Sequence, residues 1–324
     1  MKAILCTHFG TPDELELAEI PEPVAAPGEA VVRVAAAALN FFDTLIIAGK
    51  YQFKPPFPFS PAAEFAGVVE SVGAGVDELA PGDRVMGYMG WGAAREKVAV
   101  ATQQLVKLPA GLEFERAAGL TVTYGTTLYA LRERATLKPG ETLLVLGASG
   151  GAGLAAIELG KMMGARVIAG ASSGEKLAFA RDHGADETLN YGTEDLRAAL
   201  KRLGGEHGID VVYDPVGGPC AEPAVRSLAW QGRYLVIGFA AGEIPKIPLN
   251  LVLLRGSDIR GVYWGSWTKR EPLKQRALMA DIVRWCVEEK LSAHVHAVYP
   301  LADIAAALNL IAARKVMGKI VLRP

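Results

Sequence analysis

Cysteine is scarce in this 324-residue chain: Cys6, Cys220 and Cys286 are the only three, widely spaced and with no C-x-x-C pair. Three cannot all pair, so a disulfide framework is excluded and a reducing, cytoplasmic setting is expected. Excess charge is missing too. With 34 Lys and Arg against 35 Asp and Glu, the net charge of −1 offers no basic field to nucleic acid or to an acidic membrane surface. Histidine is limited to His8, His183, His207, His294 and His296, which form no tight ligand set, so no metal site is expected. The start, Met1–Gly10, lacks the long apolar core of a signal peptide and reads as the beginning of a strand. The most apolar stretch, 143–159, is interrupted by four glycines, Ser149 and Glu158, which argues against a membrane span and for a buried strand–turn–helix. There is no internal repeat and no low-complexity tract.

What the chain does have is apolar residues (51%) and 36 glycines, at a length that suits two domains and an α/β architecture with buried parallel strands. Up to about residue 122, short Val- and Ala-rich runs alternate with turn signals such as Pro21-Glu22-Pro23, Ala26-Pro27-Gly28 and Pro81-Gly82-Asp83. That rhythm predicts many short strands in a mostly antiparallel, barrel-like domain. The segment 51–61 carries four prolines and three phenylalanines and reads as an ordered extended loop. A helical pattern runs from Ala117 to Arg134. Beyond it, apolar runs at 143–146, 166–171, 187–190, 211–214 and 233–239 alternate with helical patterns, which predicts a doubly wound parallel sheet of five strands. Two amphipathic helices (272–289 and 302–314) and a strand (318–322) follow.

The most informative stretch lies inside that second region. An apolar run ends in Ala148-Ser149-Gly150-Gly151-Ala152-Gly153, a long apolar helix pattern follows, and a second strand begins at Arg166. This is the βαβ start of a dinucleotide-binding domain, with a pyrophosphate placed against a helix N-terminus. Gly150 lets the backbone approach the phosphates and Gly153 lets the helix pack on the strand, while Ala148 departs from the first glycine of G-x-G-x-x-G. The second strand ends in Ala171-Ser172-Ser173-Gly174-Glu175-Lys176. No carboxylate stands at the strand end to bind a ribose 2′-hydroxyl. Two serines and Lys176 suit a 2′-phosphate instead, so NADPH is the expected cofactor.

The chain resembles the zinc-free quinone oxidoreductase branch of the medium-chain dehydrogenase/reductase superfamily, which includes zeta-crystallin. The resemblance covers nearly the whole chain and rests on Asn40-x-x-Asp43, Pro61-x-x-Glu64-x-x-Gly67-Val68-Val69, Pro81-Gly82-Asp83-Arg84-Val85, the turn from Ala148 to Gly153, Gly184-Ala185-Asp186 with Asn190-Tyr191, and Gly318-Lys319-Ile320-Val321-Leu322. It implies a GroES-like catalytic domain built from 1–122 and 263–324, and a Rossmann domain over 123–262. It also implies an active site in the cleft between them and a homodimer or homotetramer joined through the strand 258–263. Where zinc-dependent relatives place a cysteine and a histidine, this sequence has the Asn40–Phe42 segment and Ala63, so Glu64 reads as a structural hydrogen-bonding carboxylate.

By this resemblance Asn40 lies near the nicotinamide and hydrogen-bonds the accepting oxygen, with Asp43 acting either through a water or as an orienter. A purely loop-anchoring role for both stands beside that reading, because Asn and Asp favour local backbone bonds. Tyr51 and Phe53, with Phe57 and Phe59, either wall the substrate pocket or pack on their own domain. Leu45 and Ile47 stand where a tyrosine and an arginine are common, which predicts a more apolar pocket. Thr126 resembles a threonine beside the nicotinamide, and Tyr191 an aromatic near the 2′-phosphate. Gly238 and Phe239, taken as the end of the fifth strand, are placed under the nicotinamide ribose, and Lys319 either reaches the cofactor or lies on the surface. Trp264 and Trp267 belong either to the cleft edge or to a core or interface. The activity implied is metal-independent transfer of hydride from NADPH to a quinone or related electrophilic carbonyl. Reduction of an enone or enoyl-thioester double bond, and non-catalytic NADPH binding, are the alternatives.

Overall fold

The computed structural model describes residues Met1–Pro324. Two compact units divide it, one formed by Met1–Val122 and Glu271–Pro324, the other by the continuous stretch Thr123–Arg270. The second boundary thus falls after the helix Trp264–Arg270, several residues beyond the position suggested by the sequence.

The chain enters the first unit through an antiparallel pair, β1 (Lys2–Leu5) and β2 (Glu16–Glu19). Then come β3 (Glu29–Leu39), β4 (Glu64–Val72), β5 (Arg84–Tyr88), β6 (Lys97–Ala101) and β7 (Leu105–Lys107), paired antiparallel. The run Ala35–Ala38 in β3 is helix-prone by composition, yet Ala36–Ala38 pair with β4 on one side, and Ala37 and Ala38 pair with the strand Lys319–Arg323 on the other, so tertiary pairing overrides propensity. The apolar core of this unit gathers Val32, Leu39, Ile46, Ile47, Phe65 and Val85.

The second unit contributes β8 (Thr142–Leu146), β9 (Arg166–Ala171), β10 (Glu187–Asn190), β11 (Ile209–Asp214), β12 (Leu228–Val236) and β13 (Asp258–Gly261). All pair in parallel, in the order β10-β9-β8-β11-β12-β13, one strand more than the apolar runs suggested. The order reverses between β8 and β11, which places the topological switch point at their carboxyl ends. Strand β12 stops at Val236, where the peptide N–H groups of Ile237 and Gly238 both turn to the Asp214 carbonyl (3.0 and 3.3 Å). Gly238 and Phe239 therefore lie past the strand, in a loop, and not at its end. Trp264 is buried within this unit, and Trp267 stacks on Tyr129 with centroids 4.5 Å apart.

The chain then returns to the first unit with β14 (Val295–Pro300) and β15 (Lys319–Arg323), a parallel pair whose β15 edge joins β3 antiparallel. The helical pattern from Ala117 to Arg134 is not one helix. It runs as Phe114–Ala118, Leu120–Leu128 and a wide π-turn over Tyr129–Ala135. Gly119 marks the first break. A Cβ there would stand 3.1 Å from Lys319 Cγ, so the missing side chain leaves room for the lysine stem.

Candidate active site

Asn40 closes β3 and caps the helix Phe41–Ile47, whose third residue, Asp43, returns a carboxylate oxygen to the Asn40 N–H at 2.7 Å. The Asn40 carboxamide is bonded elsewhere. Its Nδ2 donates to Glu64 Oε1 (2.9 Å) and its Oδ1 accepts from Lys319 Nζ (2.7 Å). Glu64, the first residue of β4, is fully buried. Its Oε1 also accepts from Lys319 Nζ (2.8 Å), and its Oε2 accepts the Val122 N–H (2.7 Å). The reading of Glu64 as a structural hydrogen-bonding carboxylate agrees with these contacts.

Lys319 is 5% exposed, so the surface alternative for it falls. The cofactor alternative meets an obstacle as well. Its ammonium donates to the Leu39 carbonyl (2.8 Å), Asn40 Oδ1 and Glu64 Oε1, and these three bonds use all three hydrogens an ammonium has. None is left for a phosphate.

Asp43 is wholly buried, and its second oxygen accepts the Ala62 N–H at 3.1 Å. Ala62 has φ 62°, an uncommon conformation for a residue with a side chain, and Asp43 anchors it from below the loop. Burial pushes the Asp43 carboxyl up to about 7, against the stabilising bonds from Asn40 and Ala62 and the Lys319 charge, while Glu64 adds to the rise.

Four rings lead away from this cluster in a chain. Phe42 stacks on Tyr51 (5.4 Å), Tyr51 meets Phe53 edge-on (4.9 Å), and Phe53 leans on Trp91 (5.6 Å). The other loop aromatics separate from this ladder, since Phe57 packs against Phe9 and Phe59. Ile47 is 1% exposed within the apolar core, so it does not wall a pocket, and Leu45 is only half-buried. Thr121, one residue before the N–H that Glu64 holds, has a buried hydroxyl with no partner, a feature no sequence pattern announced.

In the second unit the loop after β8 turns at Gly147, whose φ of 61° supplies the left-handed conformation expected of the first glycine. Ala148 is buried and donates its N–H to the Gly170 carbonyl (3.0 Å). The spacing is therefore Gly147-x-x-Gly150-x-x-Gly153, a pattern visible in the sequence once the turn is shifted by one residue. Ser149 is buried in the turn, and Gly150 caps the twelve-residue helix Gly151–Met162, with Gly151 and Ala152 in its first turn. The first intrahelical bond runs from Leu154 N to Gly150 O (2.8 Å), so the N–H groups of Gly151, Ala152 and Gly153 have no partner inside the helix. Gly153 has no room for a side chain: a Cβ would stand 2.2 Å from the Gly147 carbonyl oxygen. Around Gly150 the nearest atom to such a Cβ is 3.6 Å away, and that open space is what a phosphate approach requires.

Ser172, Ser173, Lys176 and Tyr191 come together at the carboxyl ends of β9 and β10. Lys176 Nζ reaches Ser172 Oγ (3.5 Å), Ser173 caps the helix Gly174–Asp182 by accepting the Lys176 N–H (3.4 Å), and Tyr191 donates its N–H to the Ala171 carbonyl (3.0 Å). Glu175 is exposed in the helix and not at the strand end. These hydroxyls and this ammonium match an extra phosphate better than a free ribose diol.

The loops after β11 and β12 are tied by Asp214. Its buried carboxylate accepts from Val216 N (2.7 Å), Gly217 N (2.9 Å) and the Tyr234 hydroxyl, and the Ala240 N–H bonds the Pro215 carbonyl (3.0 Å). Phe239 packs beside Gly217 in that corner. Thr126 is half-buried in the helix Leu120–Leu128, and nothing gathers it with the other candidates. The neighbouring Thr127 bonds the Tyr213 hydroxyl on β11 at 2.7 Å. No group of three or more His, Cys, Asp or Glu side chains is arranged to hold a metal ion, and no helix is long and apolar enough to cross a membrane.

Against known families, residues 26–110 match the alcohol dehydrogenase GroES-like domain and residues 151–280 the zinc-binding dehydrogenase domain. A rat (Rattus norvegicus) protein named quinone oxidoreductase-like protein 2 is 38% identical over 99% of this chain and 91% of its own. A quinone oxidoreductase of Pseudomonas aeruginosa is 34% identical over 100% of this chain and 99% of its own. The structure of Escherichia coli quinone oxidoreductase complexed with NADPH superposes with a TM-score of 0.93 at 28% identity, covering 100% of both chains. On this similarity over nearly its full length, the chain belongs to the quinone oxidoreductase family of the medium-chain dehydrogenase/reductase superfamily.

Proposed function

We propose that the protein is an NADPH-dependent reductase of quinones or related electrophilic carbonyls. The observation that carries the cofactor choice is the end of β9, where Ser172, Ser173 and Lys176 stand in place of a carboxylate. The glycine turn fits the pyrophosphate, with open space at Gly150 and unpartnered N–H groups at the start of the following helix. The E. coli neighbour's complex with NADPH supports the same choice. When bound, NADPH supplies the hydride. A quinone accepts it into its own π-system, so the protein's task is to orient the acceptor and to bind the negative charge that grows on its oxygen.

Asn40 takes the second task. Its Nδ2 carries two hydrogens, and the one not given to Glu64 is the donor we assign to the acceptor oxygen. Asp43 holds the Asn40 backbone in place, and the aromatic ladder from Phe42 through Tyr51 and Phe53 gives flat acceptors a surface to lie on.

The test is oxidation of NADPH, and of NADH for comparison, with 1,4-benzoquinone, a conjugated enone and an enoyl thioester. The expected result is faster turnover with the quinone and a much lower Michaelis constant for NADPH than for NADH. Preference for an alkene acceptor would reassign the chemistry to carbon–carbon double bonds. Silence with every acceptor would leave cofactor binding as the function.

A homodimer is proposed as the assembled form. The edge strand β13 presents its unpaired side together with exposed Ile259 and Tyr263, and the neighbouring helix Leu249–Arg255 exposes Leu253 and Leu254. A second copy adding its own β13 antiparallel across a two-fold axis satisfies the edge and covers the apolar residues. Light scattering is expected to return a multiple of the 34.3 kDa chain mass, and a monomer at micromolar concentration contradicts the assignment.

A further inference from the structure

Asn40 is assigned above to touch the acceptor, yet a carboxamide can turn end for end. One end offers a donor and the other an acceptor, and only the donor suits a developing oxyanion. Two buried charges settle the choice. Glu64 Oε1 accepts from one end of Asn40 and Lys319 Nζ donates to the other, while Glu64 and Lys319 also bond each other at 2.8 Å. Reversal would press the amide NH2 against an ammonium and the amide oxygen against a carboxylate, losing two charge-assisted bonds for two repulsions.

We propose that Glu64 and Lys319 are positioning residues that act through Asn40, locking its carboxamide so that the second Nδ2 hydrogen is always the group offered to the acceptor. The proposal rests on the reading of Asn40 given above. It replaces a direct role for Lys319 at the cofactor, because the lysine has no hydrogen left to give. Three features of the chain serve this arrangement. Lys319 opens β15, whose antiparallel register with β3 brings Ile320 opposite Leu39, one residue before Asn40. Glu64 opens β4, paired across β3 at Ala38. Gly119 leaves the space through which the lysine stem passes. The charges of the pair cancel locally, and the remaining titratable group against the cluster is Asp43, which bonds the Asn40 N–H rather than its side chain. A buried ion pair of this kind is poorly explained as a source of stability, since apolar residues of equal volume commonly serve as well. Fixing one orientation of a neighbouring polar group is a task that apolar residues cannot perform.

The experiment is a double-mutant cycle on turnover and cofactor affinity. The variants are Asn40→Ala, Lys319→Met, Lys319→Arg, Glu64→Gln/Lys319→Met and Asn40→Ala/Lys319→Met, each assayed for kcat and KM with 1,4-benzoquinone and for the NADPH dissociation constant by fluorescence. Expected is a fall in kcat of about tenfold to a hundredfold for Asn40→Ala and for Lys319→Met. The combined Asn40→Ala/Lys319→Met variant should be no slower than Asn40→Ala alone, because the residues act as one unit. The NADPH dissociation constant should stay within about threefold throughout. Lys319→Arg keeps a donor for Oδ1 and should lose less than Lys319→Met. The neutral Glu64→Gln/Lys319→Met pair leaves no lone buried charge, so it carries the test if Lys319→Met does not fold, and its kcat should fall likewise. Multiplying losses in the Asn40/Lys319 double variant, or a tenfold weaker NADPH complex in Lys319→Met, would overturn the proposal while leaving Asn40 in its role. An Asn40→Ala variant at full speed would remove the reading of Asn40 and the proposal together.

Discussion

Gly153→Ala is expected to disable the dinucleotide turn and to lower stability together. The added methyl would stand 2.2 Å from the Gly147 carbonyl oxygen and under 3 Å from two backbone atoms of Ala148, and no flexible side chain is there to yield. Overpacking against backbone costs about 1–3 kcal/mol, and about 3 kcal/mol taken from binding is roughly a hundredfold in the NADPH dissociation constant. The control is Gly150→Ala, where the nearest atom lies at 3.6 Å and φ is −74°, both acceptable to alanine. That variant should keep the melting temperature of the parent and still bind NADPH weakly, because its methyl fills the phosphate approach and not a protein contact. Equal cofactor affinity in Gly150→Ala and the parent would place the pyrophosphate elsewhere.

The second large effect is a pH dependence of stability carried by Asp43. Its carboxyl titrates near 7 when folded, against 3.8 as the ordinary value, so the folded protein holds a proton that the unfolded chain has already released over that interval. Stability from this group is fully present below pH 4 and is lost as pH rises through about 7. A shift of about three units corresponds to about 4 kcal/mol. Asp43→Asn cannot titrate. Its amide offers one accepting oxygen where the acid has two for the Asn40 and Ala62 N–H groups, and the variant's own side chain does not change with pH. Melting temperatures of the two proteins at pH 5, 6.5 and 8 should therefore diverge most at pH 5, with the variant gaining on the parent as pH rises. A constant gap across the three values would show that Asp43 is ionised throughout.

The parts of the fold that repeat locally were legible in the sequence. Parallel strands buried on both faces leave continuous apolar runs, and the glycine turn between β8 and its helix leaves a spacing of three. The cluster at the end of β9, proposed above to take the extra phosphate, was legible because Ser172, Ser173 and Lys176 are close in sequence as well as in space. Reading the motif one residue late hid Gly147 as the turn glycine. The same locality explains the misplacement of Gly238 and Phe239, whose apolar run continues past the point where β12 loses its partners. Ile47 was read as pocket lining because composition does not say which side of a short helix meets the core. The Asn40 cluster was legible in its members and hidden in its wiring. Lys319 stands 279 residues from Asn40 and 255 from Glu64, and no periodic pattern joins positions so far apart. Gly119 is the one local trace of it, a glycine near the start of a helical pattern.

That separation sets an order of events during biosynthesis. The continuous unit Thr123–Arg270 can fold as soon as it leaves the ribosome. The Asn40 site cannot, because its cation is encoded 255 residues after its carboxylate. At ordinary elongation rates Glu64 waits on the order of ten seconds to a minute for Lys319. Until then the nascent first unit has a carboxylate but no ammonium to bury with it, so every translation intermediate has reason to keep that pocket open to water. The strand that brings Lys319 is also the one that closes it.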